Sequence, residues 1–121
     1  MKPWVLVPAI LAGSLVVVGR AHSQQLVIRD SETTSHVGQT LTVEGTVASV
    51  HVTRSGTTFL NFGAAYPNQT FTAVIFRAAA SRFPDPRQWE GRRVRVTGTV
   101  RLYRGKPEVV LEAPGQLVAA P

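Results

Sequence analysis

The chain contains no cysteine. That excludes disulfides, thiol nucleophiles and thiolate metal ligands together. Lysine is nearly absent, with Lys2 and Lys106 the only two, and there are three histidines. No serine motif accompanies His36 or His51, and no glycine-rich phosphate loop opens a helix. Carboxylates are few and scattered, so that Glu44 stands alone on its strand. Asp30, Glu32 and His36 come nearest to a metal-binding set, but their spacing is loose and falls in a polar stretch. The expectation is therefore a protein without catalytic function, with no metal and no cofactor.

What the chain does have begins with an apolar N-terminus. "MKPWVLVPAILAGSLVVVGRAHSQ" opens with Lys2, runs apolar from Val5 to Val18, and closes on the small residues Ala21 and Ser23. A run of fourteen residues is short for a membrane span, which takes about 20. The pattern is that of a secretory signal peptide over residues 1–23, cleaved near Ser23. It predicts a periplasmic or secreted protein with no membrane association in the mature form. Cleavage removes Lys2 and Arg20, leaving eleven basic residues against seven acidic ones. Ten of the eleven are arginine, whose planar guanidinium suits bidentate contacts to phosphate and carboxylate. A genome rich in GC also favours arginine.

Residues 24–38 are polar without a sustained period and are expected to form a leader of loop or frayed segment. From Gln39 the period is two. "TLTVEGTVASVHV" sets Leu41, Val43, Gly45 and Val47 against Thr42, Glu44 and Thr46, a long strand in which Gly45 permits a bend or bulge. "TRSGT" (53–57) is a hairpin loop and "TFLNF" (58–62) a second strand. "GAAYPNQ" (63–69) is a loop. "TFTAVIF" (70–76) is apolar on both faces, as a central strand is. "RAAASRF" (77–83) has helical character and ends before Pro84. The fourth strand spans 92–103 and the last runs from about Pro107 to Ala113. "QTLTVEGTVASV" and "RRVRVTGTVRLY" share the pattern x-x-[LV]-x-V-x-G-T-V, two long strands with glycine at the same place.

The last hairpin is self-consistent. With Arg104-Gly105 at the tip and Tyr103 opposite Lys106, Val100 faces Val109 and Gly98 faces Leu111 on the core side. Arg101 then faces Glu108 on the outer side. Phe59, Phe62, Phe71 and Phe76 are candidates for the core of so small a domain, and Trp89 is placed to close one end of it.

Five strands with a short helix between the third and fourth are the order of an OB-fold, an all-β, five-stranded Greek-key barrel. "HVGQTLTVEGTV", "TTFLNFG", "FTAVIF", "WEGRRVRVTGTV" and "YRGKPEVVL" resemble the small bacterial OB-fold nucleic-acid-binding domains related to the anticodon-binding OB domains of tRNA synthetases. The resemblance spans roughly residues 36–118 and implies an OB domain over 39–118. One OB-barrel nuclease family uses several carboxylates with two arginines around calcium, and this chain lacks a matching set of acids.

In an OB barrel the ligand lies across the second and third strands, between the loop joining strands one and two and the loop joining four and five. The resemblance thus points to Arg54, Phe59, Asn61, Tyr66, Tyr103, Arg104 and Lys106 as nucleic-acid-binding residues. Arg93 and Arg95 are added from the arginine-rich face of the fourth strand, where they are either ligand contacts or solvated cover. Cations would track phosphates and aromatic rings would stack on bases. The expected partner is single-stranded DNA or RNA, bound with little sequence specificity. An envelope protein or peptide partner is the alternative, and an oligosaccharide is a third, for which few aromatics are spare. The oligomeric state is left open.

Overall fold

The longest strand in the molecule, Thr40–Val52 (β2), organises the rest. The computed structural model describes residues 25–121, so the expected signal peptide lies outside the described residues. The N-terminal half of β2 pairs antiparallel with Arg93–Thr99 (β5), from Thr40 opposite Thr99 to Thr46 opposite Arg93. Its C-terminal half pairs with Thr58–Phe62 (β3). Between Val47 and Ser49 the register shifts. That bulge inverts the strand's alternation. Leu41, Val43 and Val47 enter the core, whereas beyond the bulge Val50 packs on the core and Ser49 and His51 face outward.

Position 45 is a glycine for a different reason from the one the sequence suggests. A Cβ there would meet Asp30 Oδ1 at 2.6 Å and Phe62 Cδ2 at 3.0 Å. The bulge falls three residues later, and the glycine makes room for a carboxylate and a ring.

β3 continues antiparallel to Phe71–Ile75 (β4), which pairs in parallel with Lys106–Val110 (β7). β4 is therefore central, as its two apolar faces require. Arg101–Tyr103 (β6) and β7 form the expected hairpin, with Arg101 opposite Glu108 and Tyr103 opposite Lys106. Its tip uses Arg104 at φ 51° and Gly105 at φ 79°. Two successive positive φ values match the twist of a two-residue hairpin.

Among the described residues the protein is mainly β, with a mixed eight-stranded sheet in which seven strands run in the order β6-β7-β4-β3-β2-β5 and then Leu117–Ala119 (β8), the eighth lying beside β2. The end strand β6 and the strand β5, which lies one short of the other end, are consecutive in the chain, with only Val100 between them. The five expected strands are all present, the fourth in two pieces. At Val100 the backbone bonds to Gly38 and Gln39 instead of β7. Gly98 accordingly pairs with Leu41, not Leu111 as the extended hairpin register suggests. A short helix, Arg77–Ala80 (α1), and a 3-10 turn over Pro86–Trp89 join β4 to β5.

Two further strands lie beyond the expected five. Val27–Arg29 (β1) pairs in parallel with β2, and β8 pairs with β5. The stretch expected to be loop or frayed is therefore built into the sheet. Ile28 is buried in the core, and the following 3-10 helix over Asp30–His36 is pinned where Thr70 Oγ1 donates to Asp30 Oδ2 at 2.5 Å. Phe62 and Phe71 meet edge to face at 5.1 Å in the centre of the core. Phe76 departs from expectation. It follows the end of β4, lies half exposed, and has the Arg101 guanidinium over its ring. No helix among the described residues is long and apolar enough to cross a membrane.

Candidate functional site

On the outward face of β2, β3, β4, β7 and β6 a polar row crosses the sheet, running Ser49, Asn61, Thr72, Glu108, Arg101 in register. The row is hydrogen-bonded. Asn61 Nδ2 donates to Ser49 Oγ at 3.2 Å, and Thr72 Oγ1 donates to Asn61 Oδ1 at 3.3 Å. Arg101 holds the buried Glu108 carboxylate at 2.6 Å. A carboxylate only 6% exposed would be costly alone, so Arg101 is committed to it.

This row is part of the floor of a groove of about 710 Å³. His51 and Phe59 form the next step of the floor. The β3–β4 loop contributes Tyr66, Pro67 and Gln69, and the β6–β7 hairpin contributes Tyr103, Arg104 and Lys106, both from the same end of the parallel β4–β7 pair. The Tyr66 ring is 75% exposed, and Tyr103 is about half exposed with the Arg104 guanidinium 5.2 Å from its ring centre. A guanidinium on an aromatic face leaves its in-plane donors free for an anion. Lys106 is not a free cation. Its Nζ donates to the Pro67 carbonyl at 2.8 Å and ties the hairpin to the β3–β4 loop.

Of the nine residues singled out from the sequence, the fold gathers Phe59, Asn61, Tyr66, Tyr103, Arg104 and Lys106 around this groove. Arg54 is exposed on the β2–β3 hairpin, outside the groove lining. Arg93 and Arg95 lie elsewhere. They face outward from β5 beside Glu44 of β2, each Nε donating to it at 2.8 Å. Those hydrogen bonds, Arg93 first and then Arg95, hold the Glu44 carboxyl below its ordinary value of 4.5. A second, polar hollow of about 260 Å³ opens beside them, lined by Arg29, Asp30, Glu44 and Arg93. No group of three or more His, Asp or Glu among the described residues is placed to hold a metal ion.

Ser49, Thr72, Gln69 and Glu108 belong to the groove but do not stand out in the sequence. Alternation alone places Thr72 opposite Asn61 once the β3–β4 pairing is known. The bulge hides Ser49, because simple alternation from Leu41 would point it into the core.

No family model matches the chain. No curated protein matches it either. Among solved structures, it is similar to the crystal structure of a protein described as an aspartyl-tRNA synthetase from Leishmania major Friedlin, at 10% identity with a TM-score of 0.53. The match covers 93% of this chain and 22% of that one, so the chain spans about a fifth of the length of that protein. At this identity the likeness concerns the fold.

Proposed function

We propose that the chain is a non-catalytic binding module of the OB-barrel type that holds single-stranded DNA or RNA in the groove. The single observation that carries this is the convergence of an exposed Tyr66, a half-exposed Tyr103 under Arg104, and Phe59 on one open groove. Rings presented around one groove can take successive bases, each worth about 1–3 kcal/mol in stacking, without selecting among them strongly. The barrel part of this reading is supported by the near-continuity of β5 and β6, which only Val100 separates. The fold likeness to a protein named for tRNA adds weight to a nucleic-acid ligand.

The geometry also sets the strength. Arg104 and Lys106 are the cations that line the groove, and Lys106 is already engaged. One neutralised phosphate, at Arg104, corresponds to a log–log salt slope of about −0.7 for a single strand. The test is fluorescence anisotropy of the protein with a labelled oligothymidylate over a range of salt. Binding at low salt with a slope near that value is the expected outcome. Absence of binding at low salt overturns the proposal. Export belongs to the same reading, given the apolar N-terminus. Mass spectrometry of the protein from its native host should find the mature N-terminus at Gln24, and an intact Met1 terminus would refute that part.

A further inference from the structure

The tip of the β6–β7 hairpin carries an arginine where its backbone favours a different residue. Arg104 has φ 51° and is the only non-glycine residue with positive φ among the described residues. A two-residue hairpin of this twist prefers asparagine or aspartate before its glycine, because a Cβ crowds the backbone in the left-handed region. Conformation therefore does not account for the arginine. Ion pairing does not account for it either, since none of the salt bridges among the described residues includes it. Its guanidinium lies over the Tyr103 ring and lines the groove. Residues held in sparsely populated backbone regions cluster where a side chain serves a ligand.

We propose that Arg104 is the single phosphate reader of the groove, gripping one phosphodiester beside a base stacked on Tyr103 while the rest of the bound backbone faces solvent. This inference rests on the nucleic-acid reading above. An aromatic ring has two faces. The guanidinium covers one face of Tyr103 and leaves the other for a base. A stacked guanidinium keeps its in-plane donors, and their fork fits two oxygens of one phosphate. The other charges at the groove are already engaged. Lys106 is tied to the Pro67 carbonyl, and Glu108 is held by Arg101. Arg54 lies outside the lining. What remains of the lining is mainly uncharged rings, amides and hydroxyls. The ligand class that fits is a short single strand that needs one backbone charge and presents its bases to the protein.

The test uses three labelled tetrathymidylates, read by anisotropy at low salt and at pH 8, where imidazole charge does not enter. One carries native phosphodiesters, one carries uncharged methylphosphonates throughout, and one carries a single central phosphodiester between methylphosphonates. Wild-type protein should bind the native and the singly charged strands within about twofold of each other, and the uncharged strand about tenfold or more weaker, the weight of one hydrogen-bonded charge. Arg104→Asn suits the turn and removes the cation. It should melt at or above wild type and bind all three strands alike. Arg104→Gly carries the same test if the asparagine variant does not fold. Equal binding of the three strands by wild type overturns the inference and leaves the nucleic-acid reading standing. A native strand bound much more tightly than the singly charged one overturns it too, because further phosphates are then read. Discrimination that survives in Arg104→Asn overturns it, as does a melt of that variant well below wild type, which makes Arg104 a packing residue of the hairpin. Failure of wild type to bind any of the strands overturns the nucleic-acid reading and this inference with it.

Discussion

Replacing Gly98 with alanine should destabilise the protein through one contact. Gly98 lies on β5 opposite Leu41, and a Cβ built there falls well inside 3.0 Å of Val109 Cγ1 on β7. Carbon atoms sit comfortably at about 3.5–4.0 Å, so the overlap exceeds about 0.5 Å. Val109 is fully buried and β-branched, which leaves it little freedom to rotate away. Overpacking of this kind costs about 1–3 kcal/mol. Alanine recovers about 0.4–1 kcal/mol by restricting the unfolded chain. The net is a loss of about 1–2 kcal/mol, or roughly 5–15 °C in melting temperature for a domain of this size. Gly115 is the control, because nothing lies within 4 Å of a Cβ built there. Gly115→Ala should leave the melting temperature unchanged or raise it. Thermal melts followed by circular dichroism read both, and a double-mutant cycle isolates the contact. Val109→Ala should cost less in the Gly98→Ala background than alone, with a coupling of about 0.5–3 kcal/mol. A Gly98→Ala melt at or above wild type, or strict additivity in the cycle, would refute the steric argument.

Arg101→Ala leaves the buried Glu108 carboxylate without its partner. It should cost about 1–3 kcal/mol by urea denaturation, and Glu108→Gln in the same background should recover part of that; no recovery counts against the pairing. Glu44 has a lowered folded-state pKa, so its pairing with Arg93 and Arg95 stabilises the fold above the ordinary value of 4.5 and is lost as pH falls through the lower folded value. The stability gap between wild type and Glu44→Gln should therefore shrink between about pH 7 and about pH 3, and a constant gap would contradict it. Tyr66→Ala should weaken oligothymidylate binding about 5- to 150-fold, the equivalent of one stacked base. Arg93→Ala with Arg95→Ala should leave the binding at most slightly weakened, since both lie beside Glu44 and not in the groove; equal losses in the two variants would move the site.

Local alternation and turn chemistry carry far in this chain. The bounds of β2 and β3 and the β6–β7 register follow from period-two patterning and from the Arg104-Gly105 tip, all of which act within a few residues. β1 and β8 are three residues each, too short to show a period. They are strands because β2 and β5 offer them an edge. Phe76 looks like core from its composition. It is exposed because β4 stops at Ile75 and the chain turns into α1.

The amino-acid order by itself determined a domain of alternating strands, with a tight cationic hairpin bearing Tyr103 and a loop bearing Tyr66, because side-chain periodicity and glycine at the turn are properties of adjacent residues. Only the tertiary structure decided that a bulge turns Ser49 and His51 outward, that Lys106 is held by Pro67, that Arg93 and Arg95 surround Glu44, and that Gln69 is stranded at the groove. Each of these depends on which distant segment packs alongside, and that choice belongs to the whole sheet.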